Sequence, residues 1–246
     1  MRFWLGVCGF MVALGAAAMA ADTIPATGGN VVLTPMGHAH VQIEYAGKVI
    51  QIDPTGASNL ATAKPADVVI VTDVHGDHMD PPSIDKVKKA STIYVAPKAL
   101  EGKFPGKTEI IANGETKTVD GISITAVPMY NLTRGPAAGQ LFHDKGRGNG
   151  VILTLGGKRI YFAGDTECVP EIKALKNIDV AFVPMNLPYT MTAAETADAV
   201  KAFAPKIVYP YHSRGQDTAA FAAALKDTGI DVRLRDWYAE IGRAHV

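Results

Sequence analysis

Residues 67–82 read DVVIVTDVHGDHMDPP, and the rest of the chain is organised around this stretch. Its apolar run, residues 68–71, consists of β-branched side chains, which predicts a strand. The run stops abruptly at four side chains that can bind a metal: Asp73, His75, Asp77 and His78. A single aspartate or histidine in a loop usually faces water, but four of them at one strand end indicate a metal site.

The predicted backbone shape allows these side chains to converge. Side chains alternate between faces along an extended segment, so Asp73 and His75 can point the same way. A turn at Gly76 lets the two following candidates approach from another side. Residues 80–82, DPP, then supply an N-cap and prolines for a first helical turn. We therefore expect the cluster on a strand-to-helix loop, where α/β proteins place functional residues.

Composition bounds the class of protein. With 246 residues, 48% hydrophobic and 20% charged, the chain can bury a full core. Basic and acidic residues balance at 24 each, which argues against nucleic acid or an anionic membrane surface as the main partner. No repeat or low-complexity linker divides the sequence. We expect one domain over residues 21–239 and a small-molecule substrate.

Residues 1–20 predict a cleaved secretory signal. A basic start precedes an apolar run, and residues 18–20, AMA, fit an A-x-A cleavage site. A retained membrane anchor is the less favoured alternative, because the run is short for a bilayer span and contains three glycines. We therefore expect a periplasmic or secreted bacterial protein with no stable membrane anchor after cleavage.

The mature chain would keep one thiol. Cys8 lies in the predicted signal and Cys168 outside it, so no internal disulfide is expected, and we expect Cys168 to pack against apolar neighbours. Residues 240–246, EIGRAHV, look unlike a protein end, because their reverse translation matches read-through of a common sequencing adapter. We therefore interpret them as a sequencing artefact and leave His245 out of the site.

Apolar runs and turn residues predict an α+β fold. Hairpins are expected at residues 41–52 and 151–162, around short turns that contain Gly47 and Gly156. Helices are expected near residues 83–89, 170–175, 192–203 and 221–225, interleaved with strands. This alternation favours two mixed sheets packed face to face with helices outside. The other predicted strands are residues 31–33, 92–95, 108–111, 116–119, 122–127, 180–184, 207–209 and 232–234.

Several short motifs together resemble those of the metallo-β-lactamase superfamily. Residues 73–78, DVHGDH, are similar to its HxHxDH signature, although Asp73 stands where the family has its first histidine. The remaining motifs follow in the family's order, and the resemblance spans residues 31–211. It implies a four-layer αββα sandwich. These motifs are GHA at 37–39, DP at 53–54, GDT at 164–166 and PYH at 210–212.

The resemblance also implies two divalent metal ions, one in each of two ligand sets. The first set is Asp73, His75 and His143; the second is Asp77, His78 and His212; Asp165 would bridge them, and Asp77 and Asp165 would be the catalytic carboxylates. His143 could instead be an exposed loop histidine, and Asp165 could cap the helix at residues 170–175. The nitrogen and oxygen ligands fit zinc, while the carboxylate of Asp73 shifts the balance toward manganese or iron.

Other polar residues are candidates for supporting the metals or binding substrate. By resemblance, His38 and Asp53 would orient the metal ligands, which metal-bound histidines usually require. The glycine-rich segment 130–150 is long for a connection, which marks a functional loop. Its cations could hold an anionic substrate, and two residues of the 185–191 loop could line the pocket. These candidates are Arg134, Lys145 and Arg147, and Asn186 and Tyr189; His40 is expected to be a surface or packing histidine.

The sequence therefore predicts an exported metal-dependent hydrolase that uses a metal-bound hydroxide on an anionic ester, either a phosphodiester or a lactone. The motifs resemble most the branch that contains ascorbate-6-phosphate lactonase and N-acyl-phosphatidylethanolamine-hydrolysing phospholipase D. Two alternatives stay open. One is a metal-binding protein of the same fold without hydrolase activity, and the other is a di-iron redox member. The sequence leaves the substrate and the oligomeric state open.

Overall fold

The computed structural model describes residues 20–238, in which fourteen strands form two seven-stranded sheets. Residues 1–19 and 239–246, with the predicted signal and tail, lie outside the described residues. The first sheet contains β1 (Asp22–Ala26), β2 (Gly29–Gly37), β3 (His40–Tyr45), β4 (Lys48–Ile52), β5 (Ala66–Ile70), β6 (Lys88–Ala96) and β7 (Thr108–Ile110). The second contains β8 (Thr116–Val119), β9 (Ile122–Met129), β10 (Gly148–Leu155), β11 (Lys158–Phe162), β12 (Val180–Pro184), β13 (Ile207–Tyr211) and β14 (Asp231–Val232).

The two sheets have the same connectivity. In each, the seven strands lie side by side in sequence order. Strands one to four are antiparallel to their neighbours, and strands four to seven are parallel to one another. A loop that follows a given strand of the first sheet therefore has a counterpart after the strand at the same place in the second sheet. Asp53 directly follows β4, for example, and Asp165 follows β11 after two residues.

The helices cover the outer faces of both sheets. Helix α1 (Pro81–Val87) packs on the first sheet, where Ile84 and Val87 join an apolar cluster with β5 and β6. On the second sheet lie α2 (Pro170–Lys173), α3 (Ala193–Phe203) and α4 (Thr218–Ala224). Helix α3 begins with a capping box between Thr192 and Glu195, which satisfies two backbone N–H groups.

The main core lies between the sheets. It is an apolar cluster contributed by both, and it includes a stack of Phe162, Phe182 and Tyr209 with ring centroids 4.6 Å apart. With helices outside, the layers follow the order helix, sheet, sheet, helix. The predicted four-layer αββα sandwich with two mixed sheets is confirmed.

The first strand is the main departure from the predicted elements. The sequence predicts no strand before residue 31, but Asp22–Ala26 pairs with β2 at the edge of the sheet. Pro25 masks the strand in the sequence, and an edge strand tolerates proline because one of its sides needs no ladder hydrogen bonds. Asp22 is anchored by Arg235, which donates to both carboxylate oxygens at 2.7 and 2.6 Å.

Across residues 20–238, no helix combines the length and apolar character needed to cross a membrane.

Candidate metal centre

Strand ends from both sheets bring all seven predicted ligands together. Two clusters can be distinguished, and within each the ligand-capable atoms lie within 4.8 Å of one another. The first cluster is Asp73, His75 and His143; the second cluster is Asp77, His78, Asp165 and His212. Each cluster combines residues 73–78, which follow β5, with residues from the loops of the second sheet.

Asp165 lies where the two clusters meet. Its Oδ2 atom is 3.4 Å from Nε2 of His78 and 3.4 Å from Nε2 of His143, and its Oδ1 atom is 3.5 Å from Nδ1 of His212. The alternative role as a helix cap is excluded, because α2 has Val169 at its N-cap and no side-chain cap. Gly164 before it has φ +64°, and a Cβ there would meet Sδ of Met129 at 2.3 Å, so the strand end requires glycine.

Four buried atoms of the centre lack a hydrogen-bond partner: Oδ1 of Asp73, Nε2 of His78, Nε2 of His143 and Oδ1 of Asp165. Leaving such atoms unpaired costs about 1–3 kcal/mol each. All four carry lone pairs that a cation can bind. These nitrogen and oxygen atoms therefore fit a divalent metal, and a bound metal would supply the partner that each of them lacks.

Asp53, which the resemblance assigned to orienting a metal ligand, contacts His78. Its buried carboxylate accepts hydrogen bonds from the backbone N–H of Thr72 at 2.8 Å, from the Thr72 hydroxyl at 2.6 Å and from Nδ1 of His78 at 2.9 Å. Because Nδ1 is engaged, Nε2 of His78 is left facing Asp165. This is the arrangement by which a carboxylate fixes the tautomer of a metal-binding histidine.

His38 contacts the second cluster, again as predicted. Its Nε2 atom is 3.0 Å from Oδ2 of Asp77, and its Nδ1 atom is 3.2 Å from the hydroxyl of Tyr238. His38, Asp53 and His212 all have left-handed backbones, with φ of 55°, 47° and 46°. Such conformations are costly outside glycine and cluster at functional sites. Their grouping here supports a functional centre.

Asn131 and Glu167 form a support that the sequence did not reveal. The side-chain oxygen of Asn131 is 2.7 Å from Nδ1 of His143. Glu167 is buried and accepts from the amide of Asn131 at 3.2 Å and from the backbone N–H of Arg134 at 2.7 Å. Neither residue belongs to a motif, although Glu167 lies only two positions after Asp165, which is the one available signal.

The charges of the centre shift several pKa values. Burial would raise the pKa of Asp165, but His212 and His78 hold it well below its usual range. Burial would lower the pKa of His78, but Asp165 and Asp53 hold it well above its usual range. Burial would also raise the pKa of Asp73, but the hydrogen bond to His75 outweighs this effect and lowers the pKa to about 2. The carboxylates are thus ionised, as metal binding requires.

The three cations of the 130–150 loop differ in their surroundings. Arg134 was a predicted substrate contact, but its guanidinium donates to both carboxylate oxygens of Glu195, at 2.9 and 2.8 Å, so its charge is offset within the protein. Lys145 pairs with Glu171. Arg147 faces the centre, with Nη2 3.4 Å from Oδ2 of Asp73 and 3.4 Å from Nε2 of His75.

The 185–191 loop reaches the centre through Asn186, whose Nδ2 atom is 3.0 Å from Nδ1 of His212. Tyr189 is 44% exposed, and its ring meets that of Phe142 edge-on at 4.9 Å. Asn186 therefore contacts the candidate ligand His212, whereas Tyr189 contacts Phe142, the residue before His143. His40 lies apart, fully buried, with its ring nitrogens 2.8 Å from Oγ of Ser58 and 2.7 Å from Oε1 of Gln51. His40 is therefore a packing histidine.

Comparison with known proteins identifies the class that this fold and centre define. A family profile described as "Beta-lactamase superfamily domain" matches residues 32–212, so the chain belongs to the metallo-β-lactamase superfamily. Within it, a UPF0173 metal-dependent hydrolase of Pyrococcus abyssi is 33% identical over 190 residues, which cover 72% of this chain and 82% of that protein. The chain thus groups with the UPF0173 metal-dependent hydrolases.

Solved structures agree with this assignment. A Parabacteroides distasonis protein described as a metal-dependent hydrolase has 40% identity and a TM-score of 0.82, with 88% of this chain and 98% of that chain covered. CmlA, a diiron β-hydroxylase from Streptomyces venezuelae, has 16% identity and a TM-score of 0.65, over 87% of this chain and 53% of that one. The second likeness shows the fold alone. The protein is therefore a metal-dependent hydrolase of the metallo-β-lactamase fold.

Proposed function

We propose that this protein is an exported hydrolase that binds two divalent metal ions and cleaves an anionic ester of the phosphodiester or lactone class. The observation that carries the proposal is the pair of clusters meeting at Asp165, whose Oδ2 atom lies 3.4 Å from a histidine of each cluster. Support for export comes from residues 1–20, with their basic start, apolar run and A-x-A site, and export would bring the protein to the periplasm or outside the cell.

The two ions would be held by the two clusters. Asp73, His75 and His143 would bind the first, Asp77, His78 and His212 the second, and Asp165 would bridge them. When bound, such ions acidify a water molecule and polarise the ester. Zinc suits the histidines, whereas the carboxylate of Asp73 favours a harder ion such as manganese or iron.

The chain's own groups would position the reactants. Asp77 would be the catalytic carboxylate open to solvent, with a side chain 42% exposed. Burial would raise its pKa, but His212 and His38, at 3.2 and 3.0 Å from Oδ2, hold the pKa below its usual range and keep the carboxylate ionised. Asp165 is buried and stays ionised. Arg147 would bind the anionic group of the substrate, because an arginine can hold two oxygens of a phosphate or carboxylate at once.

The motifs GHA, DP, GDT and PYH favour the branch of ascorbate-6-phosphate lactonase and the N-acyl-phosphatidylethanolamine-hydrolysing phospholipase D over true β-lactamases. We therefore expect negligible β-lactam turnover. The second candidate is a redox function with two iron ions, which Asp73 favours because it replaces a histidine by a harder ligand.

The test is a substrate panel assayed with zinc, manganese and iron forms of the protein. Phosphodiesters, lactones, thioesters and β-lactams are compared, with His75→Ala as the blank and Asp85→Asn, an exposed position on α1, as the matched control. Hydrolysis of an anionic ester that disappears in His75→Ala supports the proposal. Efficient β-lactam cleavage without ester cleavage, or activity that survives in His75→Ala, contradicts it.

A further inference from the structure

Large apolar side chains are exposed beside the metal centre. Among the described residues, four are conspicuous: Leu132, Leu187 and Tyr189, exposed by 48, 38 and 44%, and Leu234, exposed by 41%. The first three lie on the two loops that border the centre. Single exposed apolar residues are ordinary on a protein surface, but a group of them beside a functional site marks a binding surface.

The two loops are joined to each other. The amide of Asn131 donates to the backbone oxygen of Tyr189 at 2.8 Å, and the Tyr189 ring contacts that of half-buried Phe142 at 4.9 Å. We call these four residues the apolar rim: Leu132, Phe142, Leu187 and Tyr189.

Each residue of the rim is close in sequence to a group of the centre. Leu132 follows Asn131, which contacts His143, and Phe142 directly precedes His143. Leu187 follows Asn186, which lies 3.0 Å from His212. The backbone of the rim therefore lies next to groups that belong to or contact histidines of both clusters, within reach of a molecule bound at the centre.

The position of the rim indicates what covers it. A chain docked there permanently would close the entrance that a hydrolase needs for its substrate. The occupant must arrive and leave with each turnover, so it belongs to the substrate. Arg147 lies beside Asp73 and His75 and offers a positive charge to the same molecule.

We propose that the ester cleaved at this centre carries a hydrocarbon group of several carbons, which lies on the apolar rim while its anionic group faces Arg147. The proposal rests on the proposed function and specifies the substrate further. The substrate is thus an amphiphile with a charged end and an apolar end. Removing its chain from water favours binding, and the gain grows with the length of the chain.

The test compares methyl and octyl 4-nitrophenyl phosphate as substrates, below the concentration at which the octyl ester forms micelles. We expect kcat/KM to be about tenfold or more higher for the octyl ester. In the double variant Leu132→Ser and Tyr189→Ser, this ratio falls toward one. Leu234→Ser removes the fourth exposed side chain, which lies outside the rim, and keeps the wild-type ratio. Equal values for both esters in the wild type overturn the proposal.

Binding is measured separately, so that the two proposals can fail separately. Calorimetry with methylphosphonate and octylphosphonate on the metal-loaded protein should show tighter binding of the octyl compound, lost in the double variant. If neither ester is cleaved, the phosphodiester form of the proposed function fails, and calorimetry alone decides whether the rim binds hydrocarbon. A dimer that dissociates in the double variant would show that a second copy covers the rim, and would overturn the proposal.

Discussion

The side-chain oxygen of Asn131 accepts hydrogen bonds from both the backbone N–H and Nδ1 of His143, at 2.8 and 2.7 Å. The orientation of this amide follows from its other end, which donates to the backbone oxygen of Tyr189 and to Glu167. Because an amide oxygen can only accept, Nδ1 of His143 carries a proton. In the neutral ring the lone pair is then on Nε2, which lies 3.4 Å from Oδ2 of Asp165.

We expect Asn131→Ala to weaken metal binding by about 10- to 100-fold, because the ring of His143 loses the partner that fixes its tautomer and orientation. Metal affinity is measured by competition with a coloured chelator, and circular dichroism checks that the variant is folded. Asn30→Ala, at an exposed position on β2, is the matched control and should keep full affinity. A folded Asn131→Ala variant with unchanged affinity would show that the hydrogen bond has no part in metal binding.

Replacing Asp73 tests whether it is a ligand. Asp73→Ala should lower the metal content from two ions to one and reduce kcat by several orders of magnitude, because the first cluster keeps only His75 and His143. Asp73→His should instead raise zinc affinity, since imidazole is the softer donor. Elemental analysis after dialysis against a weak chelator gives the count. We expect the second cluster to hold its ion more tightly, because its residues match the family motifs and Asp73 of the first cluster does not, so His212→Ala should lose that ion. If Asp73→Ala retains both ions and its rate, Asp73 is a loop residue only.

Arg147 and Lys145 offer a matched pair of cations. Arg147→Gln should raise KM for an anionic ester by about tenfold or more and change KM for a neutral ester little, because it removes a charge that faces the substrate. Lys145→Gln should leave both KM values nearly unchanged, since this lysine is 58% exposed and pairs with Glu171. If both substitutions raised KM for the anionic ester equally, the preference for an anionic substrate would come from the overall positive charge of the loop and not from Arg147.

His40 makes the stability of the fold dependent on pH. Burial lowers the pKa of His40 from 6.5 to about 4, against the opposing hydrogen bond to Gln51. Below pH 6.5 the unfolded chain therefore binds a proton that the folded protein does not. The free energy of unfolding should fall by about 1.4 kcal/mol per pH unit between about pH 6.5 and 4 from this residue.

The measurement is urea unfolding of metal-free protein at several pH values, which separates the fold from metal release. His40→Gln should show a shallower dependence over the same interval, because glutamine does not titrate. Parallel slopes for the two proteins would assign the dependence to other groups.

Six of the seven candidate ligands could be proposed because they lie in local sequence patterns, whereas His143 was assigned by the resemblance to the family alone. Residues 73–78 directly follow an apolar strand, Asp165 follows the glycine of a GDT motif, and His212 ends the PYH motif. Local patterns of this kind depend on alternation and strand ends, which the sequence shows directly. The same reasoning predicted the hairpins and the helices that the structure contains.

The supports could not be predicted, because they depend on contacts between distant segments. Glu167 reaches Asn131 across 36 positions of sequence, and Arg235 holds Asp22 across 213. Neither pair carries a local signal. Arg134 was a predicted substrate contact because it lies in a glycine-rich loop. Its pairing with Glu195 on α3, 61 positions away, could not be seen in the local sequence.

The shared connectivity of the two sheets has a consequence for the order of folding. Neither half of the chain contains a complete ligand set, and the contact between Asp77 and His212 spans 135 positions. Contacts of such separation form late, because loop closure must precede them. We therefore expect that a metal ion finds a complete ligand set only once both sheets have docked, so that metal uptake would report that folding is complete.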